Sequence, residues 1–343
     1  MRLLSVQPSA PVTDLPVEAI VCHDVRNPAD RNEILVRKGG RLQAEALTEL
    51  LARGVVELHL AVAEPDDVAE DEAAARLAAA IVGAGVSVTE ARFGQVSLIS
   101  QARGMLRVDR NSLEQLNTLD GVLLLTAEAD RPVDADTTLG VIKCAPLFMP
   151  RATLEAARRV ADANGPLLQV LPFEARRVAF VAPTERLRGG AFERARSALS
   201  DAIAWYGSTL DQAIGTEATV EGLAAAYDMV RHDGAELILA AGASGTDPLD
   251  VAFEGLRHAG GEVLQLGIPA EPGTACWIGR LEAVPVLGLA SCELFGQPGA
   301  LDLLLPRLFS SEALDQQLLR GLAYGGLLLG PSRIAPYHAA RAG

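Results

Sequence analysis

The second half of the chain alternates apolar runs of strand length with amphipathic stretches of helical period. This pattern predicts strands at residues 177–182, 210–214, 237–241 and 262–266, and a hairpin formed by 277–281 and 284–289. Helices are predicted at 192–206, 220–232 and 301–309. Strands separated by helices indicate an α/β fold with a parallel sheet that is covered on both faces.

The first half follows a different pattern, in which short β segments outnumber helices. Strands are predicted at 19–23, 33–36, 55–62, 86–88, 105–108, 122–126 and 139–148, and helices at 42–51, 73–82 and 152–163. Residues 64–71 are predicted as a loop and 116–121 as a turn. We therefore expect a β-rich α+β region over 1–172, an α/β domain over 173–312 and a C-terminal tail over 313–343.

The stretch 235–256 carries the strongest local signal, a strand, a turn of small residues and a helical pattern in direct succession. Glycine lets the backbone turn sharply and approach a ligand closely, and the N-terminus of the following helix favours negative charge. This arrangement is typical of a backbone-amide cradle for an anion. The turn consists of Gly242, Ala243, Ser244, Gly245 and Thr246.

Two aspartates follow this turn. Asp247 precedes Pro248, and an Asp-Pro pair suits the N-cap and first positions of a helix, so Asp247 is predicted to be the N-cap. Asp250 would then be the third residue of the helix, where an acidic side chain also suits the helix dipole, and a role in ligand binding stays open for it. The apolar face of this helix is predicted to contain Leu249, Ala252, Phe253 and Leu256.

Composition narrows the classes of function. The 343 residues are 49% hydrophobic and 22% charged, with a formal net charge of −14, which indicates a globular protein and argues against nucleic-acid binding. Because the net charge is negative, any anionic ligand must be bound by a local group of backbone amides and arginines. The four cysteines and five histidines are scattered, so no metal site or disulfide is expected. No signal peptide or membrane span is visible, and a cytoplasmic protein is expected.

Several common enzyme motifs are absent. The chain has neither the G-x-G-x-x-G dinucleotide fingerprint nor the P-loop, which argues against a Rossmann dehydrogenase and a P-loop enzyme. Ser244 lies in G-A-S-G and not in G-x-S-x-G, so a hydrolase triad has little support.

The order of motifs in the second half resembles a known family. Gly242-Ala243-Ser244-Gly245, then four residues, then Asp250-Val251, resembles the G-G-T-G-x4-Asp-Val motif of the molybdopterin-binding domain in molybdenum-cofactor biosynthesis enzymes. Thr184-Glu185 resembles the T-G-[DN]-E turn of that family, and Glu271-Pro272-Gly273-Thr274 resembles the K-P-G-K-P turn of its molybdopterin molybdotransferases. The likeness covers residues 176–310, and a weaker one extends into the first half through 37–42.

The chain departs from the family pattern in its loops. Pro183-Thr184-Glu185 lacks the glycine of T-G-[DN]-E, and the L-P-G-N-P loop has become Leu289-Ala290-Ser291-Cys292-Glu293. Glu271 and Thr274 stand where K-P-G-K-P has lysines. A glutamate at short range repels a phosphate by on the order of 1 kcal/mol, where a lysine would attract it.

The resemblance implies a three-layer αβα domain with a mixed, mostly parallel sheet, and a homodimer. The implied ligand is molybdopterin or the molybdenum cofactor, with Mg²⁺ as a further candidate, and the implied protein partner is a molybdoenzyme or another cofactor biosynthesis protein. Asp250 is the implied catalytic residue. The implied cofactor-binding residues are Thr184, Glu185, Gly242, Ala243, Ser244, Gly245, Thr246, Asp247, Pro272, Gly273, Thr274 and Ser291.

Two functions stay open at this point. In the first, the protein inserts molybdate into adenylylated molybdopterin. In the second, it binds the cofactor without catalysis, as a carrier, chaperone or regulator. The lost lysines and the altered L-P-G-N-P loop favour the second function, because a fold and its binding site can outlast the chemistry. A nucleotide amidase has less support, since the separate amidase domain with its Ser/Lys motif is absent.

Overall fold

The computed structural model describes residues 1–7, 16, 18–242, 247–328 and 335–338. The chain forms two compact units. The first unit contains Met1–Ile99, Val108–Ala127 and Thr138–Gln169, and the second contains Ser100–Arg107, Glu128–Thr137 and Val170–Gly343. Within the described ranges, no helix combines the length and the apolar character needed to cross a lipid bilayer.

Strands up to the end of the first half are β1 Arg2–Val6, β2 Ile20–Val21, β3 Val25–Arg26, β4 Ile34–Val36, β5 Leu58–Val62, β6 Asp67–Ala69, β7 Val86–Val88, β8 Gln95–Ser100, β9 Gly104–Val108, β10 Val122–Thr126, β11 Arg131–Val133, β12 Thr138–Cys144, β13 Phe148–Pro150 and β14 Leu168–Pro172. Those that follow are β15 Arg177–Pro183, β16 Thr209–Thr216, β17 Leu237–Ala241, β18 Glu262–Leu266, β19 Trp277–Leu281 and β20 Val284–Leu289.

The α-helices are α1 Ala44–Ala52, α2 Glu70–Ile81, α3 Arg110–Leu116, α4 Arg151–Asn164, α5 Ala191–Trp205, α6 Val220–His232, α7 Val251–His258, α8 Leu301–Phe309 and α9 Gln316–Gly321. Short 3₁₀ turns form at Thr184–Arg186 and Glu293–Phe295.

The first unit is built from small antiparallel sheets and helices. Its sheets have the strand orders β1-β5-β2, β10-β12-β8-β7, β13-β6 and β3-β4. The β-rich pattern is confirmed, but one local prediction is wrong and one helix was missed. The predicted loop 64–71 contains β6 and the start of α2. Helix α3 was not predicted because its seven residues contain only two leucines; its start is fixed instead by Asp109, whose carboxylate accepts the N–H groups of Asn111 and Ser112.

The second unit contains a six-stranded sheet with the order β16-β15-β17-β20-β19-β18. Strands β16, β15, β17 and β20 are parallel, and β19 and β18 are antiparallel additions. The sheet is therefore mixed, because the predicted hairpin reverses the chain between β19 and β20. Helices α6 and α8 and strands β17–β20 have the predicted bounds. A separate three-stranded sheet has the order β11-β9-β14.

The central strands of this sheet are buried on both faces. Alternate residues of β15 belong to two hydrophobic clusters: Val178 and Phe180 pack with residues of α5 and α8, whereas Ala179 and Val181 pack with residues of α6 and α7. All five residues of β17 are buried. Burial on both faces explains why these strands appear in the sequence as continuous apolar runs without alternation.

Trp277 lies in the second of these clusters and packs at a ring-centroid distance of 5.1 Å edge-on against Phe253 of α7. It is 1% exposed, so it is a packing residue. Gly288, its partner on β20, leaves room for the indole: a Cβ placed there would lie 1.7 Å from Trp277 Nε1. A methyl group at position 288 therefore cannot be accommodated unless the ring moves.

We predict that Gly288→Ala lowers the free energy of unfolding by about 1–3 kcal/mol, because an added methyl group in a filled core forces neighbouring side chains to move. Chemical denaturation measures the effect. Gly321→Ala is the matched control, since nothing lies within 4 Å of a Cβ at that position and its φ is not in the left-handed region. Equal stability of the two variants would contradict this packing.

Candidate functional site

The candidate site lies at the point in the sheet where the direction of the crossover connections reverses. From β15 the chain crosses through α5 to β16 at one edge, and from β16 it returns through α6 to β17 on the other side of β15. The carboxyl ends of β15 and β17 are neighbours, with Val181 paired to Ala240. Ligands of open α/β sheets bind at such a switch point, because the diverging connections leave a crevice there.

A cavity of about 580 Å³ opens at these strand ends. This volume falls within the range of small-molecule sites, roughly 300–1,000 Å³. Its lining combines two arginines with small and apolar residues, and includes Arg186, Arg188, Gly242, Ala275, Ser291 and Phe295. The arginines give the cavity local positive charge in a chain whose formal net charge is −14.

Gly242 is the first residue after β17, and the structure requires a glycine there. Its φ is +101°, which residues with a side chain rarely adopt. A Cβ at this position would lie 2.8 Å from Pro183 Cγ and 3.3 Å from Arg186 Cδ. The predicted turn glycine is therefore in place, and its backbone runs directly beside the side chain of Arg186.

Asp250 is buried, and each of its carboxylate oxygens accepts a hydrogen bond. Oδ1 accepts the N–H of Ala252 at 3.0 Å, and Oδ2 accepts Nη1 of Arg186 at 2.7 Å. The Asp250 side chain is 6% exposed and that of Arg186 is 41% exposed. The implied catalytic carboxylate is thus held in an ion pair whose arginine lines the cavity.

The predicted start of the helix after the turn is wrong by three residues. Helix α7 begins at Val251, and its N-cap is Asp250 and not Asp247. The exposed Asp247 accepts the N–H of Leu249 at 3.1 Å, a local turn that competes with the helix. Leu249 lies outside the helix and is exposed, whereas Ala252, Phe253 and Leu256 form the buried face as predicted.

Thr184 and Glu185 turn toward the end of β16. Thr184 Oγ1 donates to the carbonyl of Thr216 at 3.2 Å, and Glu185 accepts the N–H of Ala218 at 3.0 Å. Neither residue is among those that line the cavity. Their proposed contact with a ligand stays a prediction, and their observed role is to join two neighbouring loops.

None of the residues of the Glu271–Thr274 turn is among those that line the cavity. Thr274 Oγ1 donates to the Glu271 carboxylate at 3.0 Å, and the peptide bond between Glu271 and Pro272 is cis. Gly273 lies against Ala300, whose Cβ would be 2.5 Å from a Cβ at position 273. Of the residues predicted from this side, Ser291 lines the cavity.

Glu293 is a buried carboxylate behind this wall, and its role was not predicted. Its oxygens accept the N–H of Leu301 at 2.9 Å, the N–H of Ala290 at 3.3 Å and the thiol of Cys276. Burial raises the pKa of the Glu293 carboxyl above its usual range, while these hydrogen bonds lower it in part. One signal was available in the sequence, an acidic residue inside the apolar run 289–295.

Four predicted cofactor-binding residues, Ala243, Ser244, Gly245 and Thr246, lie outside the described residues. Among the residues that the structure does describe, no group of three or more His, Cys, Asp or Glu side chains is placed to hold a metal ion. The Mg²⁺ candidate therefore stays a prediction.

Neither a family model nor a curated protein matches the chain. Among solved structures, it is similar to the molybdopterin biosynthesis MoeA protein from Pyrococcus horikosii, with 15% identity and a TM-score of 0.29 over 72% of this chain and 81% of that one. It is also similar to the CinA protein of unknown function from Thermoplasma acidophilum, with 14% identity and a TM-score of 0.29, over 44% of this chain and 98% of that one. A molybdopterin biosynthesis protein from Mycobacterium abscessus is similar at 13% identity and a TM-score of 0.29, over 44% and 97%. At these values the similarity does not assign a function.

We predict that Asp250→Ala destabilises the protein by about 1–2 kcal/mol, because it removes the N-cap of α7. Asp247→Ala is the matched control from the same loop, and its effect should stay within about 0.5 kcal/mol. Urea denaturation of the two variants measures the difference. The reverse order would show that Asp247 is the cap.

We predict that Glu293 makes stability depend on pH. The pKa of the Glu293 carboxyl in the folded state lies above its usual value of 4.5. The stabilisation that the protonated carboxyl gives to the folded state is therefore fully present below pH 4.5, and it is lost as the pH rises through the folded-state pKa. The free energy of unfolding of the wild type, relative to Glu293→Gln, should therefore fall as the pH rises from about 4.5 toward neutrality. Denaturation of both proteins across this range tests it, and a pH-independent difference would contradict it.

Proposed function

We propose that the second unit binds molybdopterin, or a cofactor derived from it, in the cavity at the carboxyl ends of β15 and β17. The observation that carries the proposal is the crevice itself: Arg186 and Arg188 line it beside Gly242, whose conformation brings backbone close to the ligand space. This is the region in which the sequence resembles the molybdopterin-binding domain.

The chemistry of the lining fits such a ligand. A phosphate needs charge-assisted donors, and arginine supplies several in one plane. A flat pterin needs a slot without bulky side chains, and the wall contributes Ala241, Ala275 and Ala290 together with the partly exposed ring of Phe295. For residues 173–312 we propose the three-layer αβα domain that the resemblance implies. Hydrophobic clusters with helices on both faces of the sheet favour this arrangement.

Binding without catalysis is the better-supported of the two functions. The Asp250 carboxylate already makes structural contacts, since Oδ2 pairs with Arg186 and Oδ1 accepts the N–H of Ala252 as the cap of α7, and these contacts favour a binding role over a catalytic one. The Glu271 carboxylate lies where the resembled enzymes carry lysine, and its partner is Thr274. We therefore propose that the protein is a carrier, chaperone or regulator. We further propose that it forms a homodimer, and that its partner is a molybdoenzyme or another cofactor biosynthesis protein.

The test is to express the protein in a host that makes molybdopterin and to measure oxidised-pterin fluorescence after purification. We expect pterin with the wild type, and at least tenfold less with the double variant Arg186→Gln/Arg188→Gln, because each lost ion pair with phosphate costs on the order of 1 kcal/mol or more. Arg196→Gln is the control: Arg196 is exposed on α5, pairs with Glu193 and lies outside the cavity lining.

Molybdate then separates the two functions. Bound pterin that stays unchanged after molybdate is added supports the carrier, and conversion to a metal-loaded product supports the transferase. A wild-type protein that purifies without pterin would contradict the proposal as a whole.

A further inference from the structure

One side chain lies beside both Gly242 and Asp250. The Arg186 side chain passes beside Gly242, where its Cδ would be 3.3 Å from a Cβ, and its Nη1 donates to Asp250 at 2.7 Å. Arg186 also lines the cavity. Any anion that binds Arg186 therefore meets a guanidinium that already has a carboxylate partner within the protein.

The ion pair is asymmetric. Asp250 is almost completely buried and its carboxylate has only one other described donor, the N–H of Ala252, so Arg186 supplies much of the compensation for burying this charge. Arg186 is more exposed and has further N–H donors besides Nη1. The pair does not block Arg186 sterically; it reduces the positive charge that a second anion would encounter.

We propose that Asp250 is an internal counter-ion that weakens anion binding at Arg186. A phosphate group entering the cavity shares Arg186 with Asp250, and the nearby negative charge lowers its affinity and favours its release. This inference rests on the proposed cofactor-binding function and gives Asp250 a specific part in it. Asp250 acts here through Arg186, so it is a positioning residue and does not itself contact the ligand.

The test is calorimetric titration of inorganic pyrophosphate into the purified protein and three variants. Asp250→Asn should tighten binding about tenfold, because asparagine removes the charge while remaining a good N-cap for α7. Glu254→Gln is the matched control, since it removes one negative charge from the first turn of the same helix, where Glu254 pairs with Arg257. Its effect should stay below about twofold, a difference typical of screened surface charges.

The double variant Arg186→Gln/Asp250→Asn shows whether the effect passes through Arg186. If it does, the gain from Asp250→Asn disappears in the double variant. Three outcomes would each overturn the inference. The first is pyrophosphate binding that is unchanged or weaker in Asp250→Asn, the second is a gain in affinity that persists without Arg186, and the third is no pyrophosphate binding in any of the proteins. Pterin that copurifies with the wild type, together with any of these outcomes, would show that the inference alone is wrong. Absence of both pterin and pyrophosphate binding would refute the proposed function as well.

Discussion

The second unit depends on the complete burial of β17. A strand with all five residues buried must pair along both edges and be covered on both faces, which its neighbours β15 and β20 and the two flanking hydrophobic clusters provide. Such a strand has no free position for polar chemistry along its length. Chemistry is therefore confined to its end, where the chain leaves the sheet at Gly242 and a crevice opens beside the end of β15.

Behind the wall on the other side of the crevice lies a buried carboxyl group, that of Glu293. Glu293 accepts hydrogen bonds from three separate segments, through Cys276, Ala290 and Leu301. Gly299 permits this approach, because a Cβ there would lie 2.6 Å from Glu293 Oε1. A carboxyl group so deeply buried is retained only where it is hydrogen-bonded, and here its hydrogen bonds connect three segments next to the cavity.

Sequence reasoning predicted the sheet of the second unit well because doubly buried strands and amphipathic helices leave strong periodic signals; the bounds of α6 and of β17–β20 follow from them. It failed where contacts between residues that are distant in the sequence contribute to the structure. Asp247-Pro248 satisfies every preference for a helix start, yet Asp250 caps α7, and its carboxylate also pairs with Arg186, which is 64 positions away in sequence. The pairing of Asp250 with Arg186 and the burial of Glu293 arise from tertiary contacts, for which spacing along the chain carries no signal.

The same ion pair connects the fold with the favoured function. In a strongly acidic chain, an unpaired Arg186 would, together with Arg188, attract a polyanionic ligand strongly. Pairing with Asp250 lowers that attraction without removing the donors, since the guanidinium keeps N–H groups outside the contact. A protein that hands its ligand to another protein needs affinity sufficient for capture but also a rate of release that permits transfer, and most differences in affinity between related complexes arise from the dissociation rate. The proposed counter-ion role of Asp250 would meet both needs with a residue that the helix already requires as its cap.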